Sequence, residues 1–412
     1  MGRDKMRAIL KVGVVTGLLW LFLWGGSAVA VEPSPILVGL DADMSSGSAR
    51  SGDAIRRGIV LAMDDINRRG GVLGRPLALV VRDHRGNPAR GLDNMAEFAE
   101  MKDLVAVVGG LHTPVALAEL KFIHKNHIIY LDPWAAGTPV VENGYRPNYV
   151  FRVSVRDEYA GGFLIERAVS GGHKKVALLL EQTGWGRSNE RSMTSALEAR
   201  GLKPVTVQWF HWGTRDMTPQ IRAALDAGAD VILLVANAPE GAAAVTNMAA
   251  LPRDRRIPII SHWGITGGDF CKQVCRSLQR VDLRFLQTYS FLDPPFPERA
   301  KKVLAAYRRK FPPCQSAEDI FAPAGTAHAW DLIHLLARAV EKAGTLDRPA
   351  IRNAMEHLDP YPGLVRNYNP AFTPERHDAL TAEDFRLARY NNRGIIVPVQ
   401  PQNPQPGKDR HP

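Results

Sequence analysis

Cysteine is scarce: Cys271, Cys275 and Cys314 are the only three in 412 residues, which excludes a disulfide-dense mini-domain. No CxxC pair, CxxCH or HExxH occurs, so the common zinc, haem-attachment and metalloprotease signatures are missing and no metal or cofactor is expected. There is no GxSxG elbow, no GxGxxG, no Walker A sequence and no carboxylate pair spaced for acid–base work. An enzyme is therefore not expected. Long apolar runs are short of membrane length too, since Val12–Trp24 has 13 residues against the roughly 20 that a span needs.

What is present is ordinary globular material, 45% apolar and 23% charged, in a chain long enough for two packed cores. Arg3, Lys5, Arg7 and Lys11 precede the Val12–Trp24 run, and Ala28-Val29-Ala30 supplies small residues before a cut. Residues 1–30 thus read as a secretory signal peptide, and the absence of a following cysteine argues against a lipid anchor. Its removal takes away four positive charges and one negative, lowering the formal net charge from +10 to +7. The remaining basic residues, such as Arg56, Arg57, Lys174, Lys175, Arg255 and Arg256, are scattered and not interleaved with aromatics. They read as solvated helix faces, and no nucleic-acid partner is expected.

Strand-length apolar runs recur at Ile36–Leu40, Leu77–Val81, Leu104–Val108 and Ile128–Leu131, with helix-period segments such as Ile55, Ile59, Met63 and Ile66 between them. After Tyr149–Val153 the pattern restarts at Val176–Leu180, Val205–Phe210, Val231–Val235 and Ile257–Ile260. Continuous rather than alternating hydrophobicity predicts strands buried on both faces. The spacing is that of βα units, so an α/β fold is expected: two doubly wound, mostly parallel-sheet lobes joined by a multi-strand hinge. Later segments at Arg284–Phe291, Glu298–Lys310, Ala324–Ala343, Arg348–His357, Phe385–Tyr390 and Ile395–Val399 predict a chain that crosses back. Lobe 1 is then residues 34–153 plus 291–357, lobe 2 is 154–290 plus 358–399, and 400–412 is a disordered tail.

Ligands in open parallel sheets sit beyond the carboxyl ends of the strands, where loops meet helix N-termini. After Val108 comes Gly109-Gly110-Leu111-His112-Thr113-Pro114, where Thr113 either caps its helix or belongs to a carboxylate cradle. After Leu131 comes Asp132-Pro133-Trp134-Ala135-Ala136, whose Trp134 either walls a pocket or covers the sheet edge. Glu181-Gln182-Thr183-Gly184-Trp185-Gly186, Ala236-Asn237-Ala238 and Ser261-His262-Trp263-Gly264 end strands of the second set. Trp134, Trp185 and Trp263 thus point to an aromatic-lined cleft between the lobes. His124 and His127 read as solvated, His328 and His334 as ordinary helix residues, and His377-Asp378 as a local pair. Cys271 and Cys275 read either as a small disulfide or as two buried thiols.

Gly58-Ile59-Val60-Leu61-Ala62-Met63-Asp64-Asp65-Ile66-Asn67 and Gly70-Gly71-Val72-Leu73-Gly74-Arg75-Pro76-Leu77 are the most specific stretches, with Val108-Gly109-Gly110, Asn143-Gly144-Tyr145, Phe151-Arg152 and Tyr361-Pro362-Gly363-Leu364 in matching order. From about Ile36 to Val399 the chain resembles the periplasmic substrate-binding proteins of the branched-chain amino acid ABC transporter type, which have the type I periplasmic binding fold. The resemblance implies a periplasmic monomer that closes on a small-molecule ligand and delivers it to an inner-membrane ABC permease. It places Thr113, beside His112, at the ligand carboxylate, and Trp134, Ala135 and Ala136 in the next head-group loop. Asp157 falls near the bound amine, Trp185 closes from the second lobe, and Asn237 lies close to another aromatic position.

Departures from the family pattern bear on the ligand. Trp263 stands where amino acid binders carry a carboxylate for the ligand ammonium, Ala136 where a threonine is common, and Ser51 where an aromatic often sits. Asp157 or Glu240 could compensate, but an aromatic or other organic acid, or an amide, suits three tryptophans better than an aliphatic amino acid. A ligand sensor that presents its closed form to a receptor has the same sequence features, and an exported enzyme on this fold is the third alternative.

Overall fold

The computed structural model describes residues 33–399; the expected signal peptide and the expected disordered tail lie outside them. In the first half the order is β1 (Ile36–Ala42), α1 (Ala49–Asn67), β2 (Leu77–Asp83), α2 (Pro88–Ala99), β3 (Leu104–Val108), α3 (Thr113–Lys125), β4 (Ile129–Asp132), α4 (Thr138–Val141) and β5 (Val150–Arg152). There follow α5 (Asp157–Ser170), β6 (Val176–Glu181), α6 (Gly184–Glu198), β7 (Thr206–Phe210), α7 (Thr218–Asp226), β8 (Val231–Val235), α8 (Ala238–Ala250), β9 (Ile259–Ser261), α9 (Phe270–Val274) and β10 (Leu283–Gln287). The chain ends with α10 (Pro297–Lys310), α11 (Pro323–Ala343), α12 (Arg348–Met355), a small β11 (Tyr361–Pro362) and β12 (Asn367–Tyr368) hairpin, β13 (Arg386–Tyr390) and β14 (Ile396–Pro398).

The first sheet has the order β2-β1-β3-β4-β5 and is parallel throughout. In the second, β7-β6-β8-β9-β10 repeats that order in parallel, and β13 and β14 add on antiparallel. This is the expected α/β, doubly wound architecture, with β5 and β10 as fifth parallel strands. The apolar runs behave as their position demands: β3 and β8 are buried at every residue, whereas the edge strands β2 and β7 are half-exposed.

Helix α1 buries Ile55, Ile59, Ala62, Met63 and Ile66 at helical spacing and packs on α11. Gly58 permits this approach, since a Cβ there would stand 2.3 Å from the Thr326 carbonyl oxygen. Helices α10, α11 and α12 therefore return to the side of the first sheet. The chain crosses between the sheets after β5, after β10 and before β13.

One boundary is corrected. Residues 358–380, expected in the second lobe, are bonded to the first. The Asp331 carboxylate of α11 accepts from the N–H groups of Leu364 and Val365 and from the Tyr368 hydroxyl. Arg152 of β5 exchanges backbone hydrogen bonds with His377 and Ala379. A buried polar residue goes where its partners are, and only from β13 does the chain pair with the second sheet.

Candidate functional site

Each sheet reverses its strand order once, between β1 and β3 in the first and between β6 and β8 in the second, and these are the places where open α/β sheets hold ligands. The loops beyond both switch points face each other across a nearly closed cleft, whose cavity of about 10 Å³ holds little more than a water molecule. Its first-lobe wall is Leu111, His112, Thr113, Pro114, Trp134, Ala135 and Ala136; its second-lobe wall is Glu181, Trp185, Trp212, Asn237 and Trp263. Eight of the nine residues singled out in the sequence thus come together here, and Asp157 does not.

Thr113 proves to be the first residue of α3 and not its cap: His112 holds the cap position without a side-chain bond. The Thr113 hydroxyl instead accepts the Gly137 N–H at 3.2 Å, tying α3 to the neighbouring loop. That loop is held from below, because Asp132 Oδ1 accepts the N–H groups of Trp134 and Ala135 at 2.9 and 2.8 Å. The guanidinium of Arg152, wholly buried, donates to the carbonyls of Ala135 and Gly137 at 3.1 and 2.9 Å and to Asp378 Oδ1 at 2.5 Å. His377-Asp378 is therefore no local pair: His377 reaches the Val150 carbonyl and Glu356, at 2.7 and 2.9 Å.

On the second lobe, α6 begins at Gly184, because the Thr183 hydroxyl caps it by accepting the Trp185 N–H at 3.2 Å. Trp185 therefore sits in the first helical turn, and it is buried, 6% exposed. Its indole donates to Asp157 Oδ1 at 3.2 Å, and His262 Nε2 lies 3.1 Å from the same oxygen. Asp157 also donates its N–H to the Ala136 carbonyl at 2.8 Å, so it braces both walls from behind. Trp263 stacks on Trp134 with ring centroids 4.7 Å apart, and the His328 ring lies 5.6 Å from Trp263. Gly264 allows Trp185 close, since a Cβ there would stand 2.6 Å from its ring.

Four wall residues were not singled out in the sequence, Leu111, Pro114, Glu181 and Trp212, and the last two carry polar groups. Glu181, at the end of β6, accepts from the Thr183 hydroxyl at 2.6 Å, the Trp212 indole at 2.8 Å and the Asn237 amide at 3.1 Å. Burial pushes its carboxyl up to about 7 against the pull of the Thr183 and Trp212 bonds. Trp212 projects from the loop after β7 and covers His112 at 5.3 Å between rings. The available signal was the strand-end rule itself, applied to Glu181 as the last residue of an apolar run. Glu240, the other acid weighed for the ligand, is spent on the Gly213 N–H at 2.7 Å.

The remaining histidines and cysteines lie elsewhere. His124 is buried, not solvated, stacking on Tyr145 at 4.0 Å with Nε2 3.2 Å from Asn148 Oδ1, while His127 is exposed. His334 meets Asp65 at 3.2 Å. Cys271 and Cys275 are unbonded, with sulfurs 3.6 Å apart, and Cys275 is exposed where burial was the alternative to a disulfide; Cys314 is buried.

A two-lobed α/β chain with a cleft at facing switch points has the form of a binding protein. Residues 35–394 match the family described as periplasmic binding protein, and the chain belongs to that family, in the branch of the branched-chain amino acid ABC transporters. It is 24% identical over 361 residues, covering 86% of this chain and 90% of the relative, to "Leu/Ile/Val-binding protein homolog 1" of Brucella abortus. A periplasmic binding protein type 1 from Bordetella pertussis has a similar fold, with TM-score 0.80, 21% identity, and 89% of this chain and 100% of that one covered. So has a solute-binding protein of an ABC transporter from R. palustris in complex with 4-hydroxybenzoate, with TM-score 0.74, 19% identity and 89% and 96% covered. Members of this family bind small molecules, work with ABC transporter permeases and are normally periplasmic.

Proposed function

We propose that this chain is the periplasmic solute-binding component of an ABC uptake transporter whose lobes close on a small aromatic or other organic acid and present the closed form to an inner-membrane permease. The observation that carries the choice of ligand is the pairing of Trp263 with Trp134, an aromatic wall where the family resemblance implies an ammonium-binding carboxylate in amino acid binders. Glu181 is the one carboxylate lining the cavity among the described residues, and it already takes three donors. A buried ammonium left without a partner is costly.

An acid head group suits the other features. Helices α3, α6 and α8 all begin at the cavity, and the first N–H groups of a helix lack intrahelical partners and favour negative charge. The lobes also touch around the cleft, through Ser51 Oγ to the Gly267 carbonyl at 3.0 Å and Arg50 to Asp269 at 2.9 Å. A ligand held by both walls shifts the hinge equilibrium by its differential affinity for the closed form.

The test is a thermal-shift screen of the purified protein against aromatic acids, short organic acids, amides and aliphatic amino acids. Binding to the folded state alone raises the midpoint by mass action. The expected result is a rise with aromatic or other organic acids and none with leucine or valine. A rise with leucine or valine, or no rise with any acid, overturns the ligand class.

A further inference from the structure

The second lobe carries a pair of thiols that the ligand cleft does not use. Cys271 lies in α9 and Cys275 follows at its C-cap, one helical turn on, so both sulfurs fall on one face, 3.6 Å apart. Both line a solvent-open groove of about 480 Å³ that also includes Arg50 and Phe321 from the first lobe. The site is at the rim of the cleft: Asp269, which precedes α9, holds Arg50 at 2.9 Å.

We propose that Cys271 and Cys275 are a redox-active dithiol that forms a reversible disulfide within the chain, with a low-molecular-weight disulfide as oxidant. Residues four apart on a helix have Cα atoms roughly 6 Å apart, inside the range that a disulfide spans. The sulfurs must close by about 1.5 Å, and the exposed Cys275 thiol, which donates to the Cys271 carbonyl, gives up that bond as it turns to its partner. Cys314 takes no part: it is buried and its thiol donates to the Ser316 carbonyl.

The order of events follows from exposure. Burial, helped by the neighbouring Cys275, pushes the Cys271 thiol up to about 12, so the exposed Cys275 attacks first. Its thiolate displaces one thiolate from the oxidant and forms a mixed disulfide. Cys271 then gives up its proton, attacks the Cys275 sulfur and expels the second thiolate. Two protein thiols lose two protons and two electrons, and the oxidant is reduced to two thiols. Gly394 leaves room for Cys271, since a Cβ there would stand 2.4 Å from its Sγ.

The test incubates the purified protein with oxidised glutathione, then counts thiols and measures intact mass without reductant. The expected result is a fall from three thiols to one, a mass lower by two hydrogen atoms with no glutathione attached, and recovery with dithiothreitol. Cys314→Ser still loses two thiols, while Cys271→Ser retains one glutathione on Cys275. Three persisting thiols, a stable glutathione adduct on the unaltered chain, or a disulfide-linked dimer each overturns the proposal. The result is independent of any ligand, so it stands or falls apart from the transport reading.

Discussion

Trp134 and Trp263 lie face to face, 4.7 Å between centroids and 19° between planes, although one follows β4 of the first sheet and the other β9 of the second. Their contact exists only while the lobes are together. Such an aromatic pair contributes about 0.5–1.5 kcal/mol beyond its buried area, which biases the hinge toward closure before any ligand arrives.

Trp263→Ala is expected to open the ligand-free protein and to weaken binding of whichever acid raises the thermal midpoint by about tenfold, or about 1.4 kcal/mol. Small-angle scattering reads the first effect as a larger radius of gyration, and calorimetry reads the second. Equal radius and equal affinity in the two proteins would show that the stack has no part in closure.

Fold and cleft were legible to different depths. The β3 and β8 runs are buried on both faces, and that makes them readable at both ends, Leu104–Val108 and Val231–Val235. The strand-end rule then selected Thr113, Trp134, Trp185, Asn237 and Trp263 together. Long-range pairing was what sequence could not reach. Nothing near Asp378 announces Arg152, 226 residues away, and this pair decides that 358–380 belongs with the first lobe. Asp157 was out of reach for a related reason, since Trp185 and His262, which meet its Oδ1, lie on two other elements, and it stands behind the cleft wall rather than in it.

Trp212 is 38% exposed, yet its ring packs on His112 and its indole donates to the buried Glu181. Trp212→Ala should therefore lower the thermal midpoint of the ligand-free protein somewhat and also raise the ligand dissociation rate several-fold, because the side chain closes the cleft over His112. Stopped-flow dissociation checks this, and an unaltered rate removes Trp212 from the gate.

Glu181 makes stability depend on pH with a definite sign. Its carboxyl is raised from 4.5 to about 7 in the folded protein, so the folded state holds the proton more tightly than the unfolded one. The stabilisation is complete below the unfolded value and is lost as pH rises through about 7. The span corresponds to about 3 kcal/mol at most. Denaturation of the unaltered protein and of Glu181→Gln between pH 5 and pH 8 should show a decline that the variant lacks in part; parallel profiles would mean that Glu181 does not titrate there.

Arg152 and Asp378 form the most consequential buried pair, exposed 0% and 2%, with Arg156 a further 3.4 Å from the second Asp378 oxygen. Removing one partner strands a charge in the interior, so Asp378→Ala should cost about 3–5 kcal/mol in urea denaturation. Replacing both, as Arg152→Met with Asp378→Leu, should cost less than Asp378→Ala alone, because no buried guanidinium is stranded and Asp132, 4.0 Å from Arg152 and pushed up to about 8 by burial, can hold a proton instead. The double variant should still bind ligand poorly, since Arg152 also donates to the carbonyls of Ala135 and Gly137 that shape the first-lobe wall. Recovery of stability without recovery of affinity would separate the two roles of this guanidinium, and full affinity in the double variant would show that the loop holds its shape without it.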